Sequence, residues 1–322
     1  MPVLSDSSYK PSLLFKNKHF NTIYRTLFTK YSIAYKRERI ELPDGDFIDI
    51  DKAPVNSKKA IIAIHGLEGS SNSTYIQSLV LLANQQGYDV VAINLRGCSG
   101  ENNRLIATYH SGKTEDIQYV LNHLISKNSY DRYHIVGYSL GGNMTLKYMG
   151  ENGSTTSQYI KSAVAVSVPC DLKASAIQMN RLSNRIYLKR FLDSMKAKAI
   201  QKYDAFPNAP LRKETILSCN SFKDFDDAYT APAHGFDNAE HYWKSASCKQ
   251  FIPTIQKPTL LITALDDPFF TEACYPFKEA KDNTNFYFET PAYGGHVGFR
   301  TSLLQKDNNW CEERILQFIN QQ

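Results

Sequence analysis

"HIVGYSLGGNM", residues 134–144, is the stretch on which the reading of this chain turns. A short apolar run ends in Gly137-Tyr138-Ser139-Leu140-Gly141, and a helical pattern begins directly behind it. A serine between glycines, after a strand and before a helix, sits on a turn too tight for larger neighbours. Such a turn lifts the hydroxyl above the sheet, at a helix N-terminus whose dipole favours developing negative charge. The strand–turn–helix context marks Ser139 as a nucleophile. The alternative is a glycine-rich turn whose serine only caps the helix.

Outward from that turn, strands and helices alternate. "FIDIDKA" (47–53) reads as an early, half-exposed strand, and "AIIAIHG" (60–66) as a buried one ending in glycine. "TYIQSLVLLANQQG" (74–87) has helical spacing and stops at a glycine, and "YDVVAINLRG" (88–97) is the next strand. "KTEDIQYVLNHLISKN" (113–128) gathers Ile117, Val120, Leu121, Leu124 and Ile125 on one helical face. Then come strand 133–139, helix 140–150 and strand 160–169. The rhythm breaks over 171–256 and resumes with "KPTLLITALDD" (257–267), "TNFYFET" (284–290) and a final helix over 308–321. This order predicts an α/β fold, a mostly parallel sheet flanked by helices. The interruption is too long for a structureless loop. It is expected to be a helical cap inserted into a single domain spanning 1–322.

A serine nucleophile needs a base, and the base an orienting acid. With a nucleophile on this kind of turn the chain order is Ser, then Asp or Glu, then His. Three histidines follow Ser139: His234, His241 and His296. His296 stands in "AYGGHVGF", a glycine-rich loop after the last strand, and is the expected base. His234 and His241 fall in the insertion, where a solvated or capping role is expected. The acid should leave the strand "TLLITAL". The G-x-x-D alignment favours Asp267, which precedes Pro268, and a one-residue shift gives Asp266. An oxyanion hole needs two N–H donors. Leu140, behind the nucleophile, and Leu67, in "HGLEG", are the candidates. His65 precedes Ser139 and is expected to brace the loop.

The rest narrows the function class. The 322 residues carry a net charge of +5, too small an excess to imply nucleic acid, although a weak preference for anionic surfaces remains open. No apolar run reaches the length of a membrane span, and "MPVLSDSSYKPSLLFKNKHF" has no signal-peptide pattern. Six scattered cysteines form no CxxC pair, so reduced thiols and a cytoplasmic location are expected. The chemistry needs no cofactor or metal. Asp224, Asp226, Asp227 and His234 fit no familiar metal spacing and read as a solvated or helix-capping turn. Segment 175–203 reads as one helix carrying Met179, Leu182, Ile186, Phe191 and Met195. It is either a core-facing cap helix with a solvated basic face or a lid that also makes transient contact with anionic lipid. Arg96 is expected to fix loops, and Cys98 to lie near the site.

The chain also resembles a known group. "ELPDGDFIDI", "HGLEGSSNSTY", "NLRGCSGENNR" with "YHSGKTEDI", "GYSLGGNM", "FDDAYTAPAHGF", "KPTLLITALDDPF" and "GGHVGF" run in order over nearly the whole chain. They are similar to the α/β-hydrolase superfamily, in the branch of YheT-like bacterial hydrolases and related eukaryotic abhydrolase-domain lipases and esterases. The resemblance implies a Ser139–Asp267–His296 triad and hydrolysis of small-molecule carboxylic esters of lipid-like character. An acyltransferase or thioesterase would need the same triad. A non-catalytic binding protein would have no physical need for it.

Overall fold

The apolar runs become the parallel core of a nine-stranded sheet in the computed structural model, which describes residues 3–4, 6–303 and 310–322. In chain order the strands are β1 (Val3–Leu4), β2 (Lys36–Glu41), β3 (Phe47–Ala53), β4 (Lys59–Ile64), β5 (Asp89–Asn94), β6 (Arg132–Tyr138), β7 (Ile160–Val166), β8 (Thr259–Ile262) and β9 (Phe286–Glu289). Their spatial order is β1-β9-β8-β7-β6-β4-β5-β3-β2. All neighbours pair in parallel except β2 with β3 and β3 with β5. The chain leaves β4 to one side for β5 and crosses to the other for β6. The carboxyl ends of β4 and β6 therefore flank the point where the winding reverses, where open α/β sheets form their crevice.

Helices cover both faces. On one, α3 (Glu115–Ser126) and α4 (Leu140–Asn152) pack Ile117, Val120, Met144 and Leu146 against Ile62 and Ile64. On the other, α2 (Thr74–Gln85) and the helix Trp310–Ile319 cover Ile61 and Ala63. Residues 308–309 of the expected final helix lie outside the described residues. A further helix, α1 (Lys18–Phe28), lies near the N-terminus and packs on α2.

Three expectations need correction. The strand 47–53 is not half-exposed. Asp49 and Asp51 are buried because Arg39 and Arg37 of the charged edge strand β2 cover them in two-pronged ion pairs, with Nε–Oδ1 distances of 2.8 Å in both. Segment 175–203 is not one helix. It comprises α5 (Leu172–Met179), a turn at 182–184, and α6 (Arg185–Ala205). The buried Asn184 makes the break by donating to the carbonyls of Gln178 (3.1 Å) and Pro268 (2.7 Å). The expected apolar face also divides: Met179 is buried, while Leu182 and Ile186 are each 84 % exposed. Between β7 and β8 the described residues form helices joined by loops and no strand.

Candidate active site

Ser139 takes φ 52° and ψ −117°, a conformation that non-glycine residues avoid and that persists only where the surroundings enforce it. The enforcement comes from close approach. A Cβ on Gly137 would lie 2.3 Å from the carbonyl oxygen of Gly141, and one on Gly141 would lie 2.4 Å from that of Ile64. The two glycines let β6 and α4 pinch together around the serine.

His296 lies beside it. Nε2 is 2.9 Å from Ser139 Oγ, and Nδ1 is 2.8 Å from Asp267 Oδ2. The other Asp267 oxygen accepts the N–H of Phe269 at 2.9 Å. The buried carboxylate is thus fixed and aimed at the imidazole, which is wedged against the rings of Phe269 and Phe270. The neighbouring Asp266 turns elsewhere. Its Oδ1 accepts the Gly295 N–H at 2.9 Å, while burial, reinforced by the Asp267 charge, raises its carboxyl to about 6. The structure therefore brings Ser139, His296 and Asp267 together and leaves Asp266 as a support of the histidine loop.

That loop is held by three successive backbone donors. Gly295 N–H reaches Asp266, His296 N–H reaches Thr22 Oγ1 on α1 (2.9 Å), and Val297 N–H reaches Ser167 Oγ behind β7 (3.0 Å). Sequence reasoning missed Thr22 and Ser167, since neither lies in a recognisable pattern.

Leu67 and Leu140 both border the space over Ser139, and neither backbone N–H donates to a protein acceptor among the described residues. His65 braces this region: Nδ1 contacts the Gly66 carbonyl (2.7 Å) and Nε2 the Leu95 N–H (3.1 Å), while burial lowers its pKa to about 4. Glu68, also missed, accepts from Tyr109 (2.7 Å) and from Ser194 and Lys198 of α6. Arg96 fixes loops by binding Asp116, Asp44 and Asp46. Cys98 is buried against Lys198, does not border the cavity, and has its thiol raised to about 11 by burial.

Two spaces meet at the serine. An inner cavity of about 140 Å³ is walled chiefly by aromatic and aliphatic side chains of the helical insertion, among them Met179, Phe191, Met195 and Phe225. An outer groove of about 640 Å³ runs between α1, the 66–75 loop and α6. Leu67, Glu68, Ser139, Phe191, Phe269 and His296 border both.

The acidic turn of the insertion is not uniformly solvated. Asp224 caps a short helix with Ser221, and Asp227 pairs with Lys223. Asp226, however, is buried at the cavity wall, accepting from Trp243 Nε1 (2.8 Å) and Thr230 (2.7 Å), and burial raises its carboxyl to about 7. His234 is not solvated either. Its ring stands 4.6 Å from that of His110, and burial lowers its pKa to about 3. His241 stays exposed, paired with Asp237. Among the described residues no group of three or more His, Cys, Asp or Glu side chains could hold a metal ion, and no helix is long and apolar enough to cross a membrane.

With this geometry in view, comparison with known proteins is informative. A family model described as "alpha/beta hydrolase fold" matches residues 59–300. The chain is 36 % identical over 317 residues to "Putative esterase YheT" of Escherichia coli (strain K12), covering 97 % of this chain and 92 % of that one. The chain belongs to the α/β-hydrolase fold family, in its YheT-like branch. Within that family it is also 26 % identical to phospholipase ABHD3 of Mus musculus (99 % and 79 % covered) and 28 % identical to a monoacylglycerol lipase of Saccharomyces cerevisiae (86 % and 61 %). An esterase of Pyrococcus furiosus superposes with a TM-score of 0.60 at 16 % identity over 98 % of both chains, a likeness of fold. The hydrolase family model begins at residue 59, so α1 and Thr22 lie outside it.

Proposed function

We propose that this hydrolase cleaves carboxylic esters of lipid-like acids through an acyl-enzyme on Ser139. The observation that carries the reading is the unbroken line Ser139 Oγ–His296–Asp267, with contacts of 2.9 and 2.8 Å, at the meeting point of a mostly apolar cavity and a larger groove. Ser139 attacks the ester carbonyl as His296 Nε2 takes its proton. Asp267 holds the imidazole and stabilises its cationic form. The N–H groups of Leu67 and Leu140 receive the oxyanion. His296 then protonates the departing alcohol, and water, activated by the same imidazole, releases the acid.

The insertion acts as a cap. The acyl chain occupies the inner cavity, whose walls are mostly apolar and where a free charge would lose hydration. The alcohol leaves through the groove. The esterase and lipase names of the relatives support an ester substrate.

The test is labelling of the intact protein with a fluorophosphonate probe, alongside Ser139→Ala, and turnover of p-nitrophenyl esters of graded chain length. Labelling and turnover should both disappear in the variant, the latter by at least about 10³-fold. A folded wild-type protein that neither labels nor turns over any ester would overturn the reading.

A further inference from the structure

Two walls of the outer groove belong to stretches that carry Lys and Arg but no acid. Residues 7–37, which include α1, contain seven Lys or Arg and no Asp or Glu. Residues 172–192, α5 and the start of α6, contain five and none. The whole chain is only +5, so the remainder is acidic on balance. Of the N-terminal seven, Arg25 is buried against Glu312 and Arg37 pairs with Asp51, so the unpaired cations that meet the groove lie chiefly on the insertion. In the insertion, Lys173 and Lys189 are paired with Glu240 and Asp193, whereas Arg181, Arg185 and Arg190 have no ion-pair partner among the described residues.

The same elements expose large apolar side chains. Ile23 and Leu27 on α1 are 37 % and 59 % exposed, and Leu182 and Ile186 stand almost free in water. Ile23, Leu27 and Ile186 border the groove, with Arg190 beside them, and the groove ends at Ser139 and His296. The walls come together where His19 Nδ1 of α1 meets the Tyr187 hydroxyl at 3.2 Å. A mouth bordered by Arg190 and exposed aliphatic side chains thus leads to the serine, and the unpaired Arg181 and Arg185 and the exposed Leu182 stand just outside it on the same insertion.

We infer that this rim docks on an anionic lipid surface. Arginines pair with anionic headgroups while Leu27, Leu182 and Ile186 enter the acyl boundary, the division of labour of a surface-bound amphipathic element. A second copy of the chain is a poor occupant, because a twofold contact would set two predominantly cationic faces against each other. The inference rests on the proposed ester hydrolysis only for what enters the groove. Docking itself requires no turnover.

The experiment is flotation of the full chain with vesicles of phosphatidylcholine alone, or with about one third phosphatidylglycerol. The anionic vesicles should carry the protein at low salt and release it at high salt, since surface charge is screened. Arg181→Glu/Arg185→Glu should weaken flotation by at least about a hundredfold. Leu182→Glu should weaken it while turnover of a soluble short-chain p-nitrophenyl ester stays at the wild-type rate, for Leu182 borders neither the cavity nor the groove. Ser139→Ala should float like wild type, so loss of ester hydrolysis leaves this result standing. Several results would overturn the inference: no flotation of the folded protein, equal flotation on neutral vesicles, or variants that float unchanged. Sedimentation showing a dimer broken by Leu182→Glu would instead make the rim a contact between copies. Binding to polyglutamate but not to vesicles would assign it to an acidic polypeptide.

Discussion

Thr22→Val isolates the link between the N-terminal helix and the histidine loop. Valine keeps the shape of threonine but offers no acceptor to the His296 N–H, which the Thr22 hydroxyl holds at 2.9 Å while itself donating to the Lys18 carbonyl at 2.7 Å. One neutral hydrogen bond is worth about 1 kcal/mol, and an abandoned donor at a half-buried site costs about 1–3 kcal/mol. Two neighbouring donors, those of Gly295 and Val297, keep their partners, so the loop stays in place while His296 loses its own restraint. If about 1.4 kcal/mol of that loss falls on the transition state, kcat drops about tenfold with little change in KM. The assay is steady-state hydrolysis of a p-nitrophenyl ester, with thermal unfolding in parallel. Thr22→Ser, which restores the oxygen, should recover most of kcat. A folded Thr22→Val whose kcat stays within about twofold of wild type would refute the positioning role.

Asp267→Asn should lower kcat by about 10³–10⁴-fold, because an amide cannot orient and stabilise the imidazolium in the same way, whereas Asp266→Asn should cost no more than about tenfold; equal losses in the two variants would mean the acid is misassigned. Asp226→Asn should change the pH dependence of stability. A carboxyl held at about 7 in the folded chain, against about 3.9 when unfolded, favours folding while protonated, and that contribution is lost as pH rises through about 7. The stability of the Asn variant, followed by thermal unfolding, should therefore gain on wild type between about pH 4 and 7 and level off above, by on the order of 4 kcal/mol at most; parallel curves would rule this out. Glu68→Gln, which removes the charge facing Lys198, should weaken the tie between α6 and the 66–75 loop, seen as faster amide exchange in α6 and checked against unchanged exchange in α4.

What the sequence carried of this site depended on how far apart the interacting residues lie. The serine was legible because Gly137, Ser139 and Gly141 form one continuous turn, whose constraint acts within five residues. His296 was legible from chain order, and the strand end narrowed the acid to Asp267 or its neighbour Asp266, between which the geometry beside His296 favours Asp267. Thr22 was not, because its contact spans 274 residues and a lone threonine in a helix carries no pattern. The strand "KRERIE" escaped detection for a different reason. Its pattern is charged, and only pairing with Asp49 and Asp51 makes those side chains fit a sheet. Asp226 looked like part of a solvated acidic turn, yet Trp243, seventeen positions on, draws it into the cavity wall. Leu182 and Ile186 kept helical spacing with the buried Met179, but the bend at Asn184 turned them outward, and periodicity could not register a bend made by a side chain bonding to Pro268.

A further set of long-range contacts centres on α6. Its Phe191 borders both the cavity and the groove, its Ser194 and Lys198 bind Glu68, and Glu68 directly follows the proposed oxyanion donor Leu67. A cap of this kind cannot swing aside freely, because moving α6 strips a mostly buried carboxylate of two of its donors and leaves it with Tyr109. The outer end of the same helix carries Ile186 and Arg190, which meet the groove mouth. One rigid element therefore joins the surface where substrate would arrive to the loop where negative charge would develop. On the proposed reading, a displacement of the rim is expected to be felt at Glu68, which would make α6 the element that links substrate access to the proposed oxyanion loop.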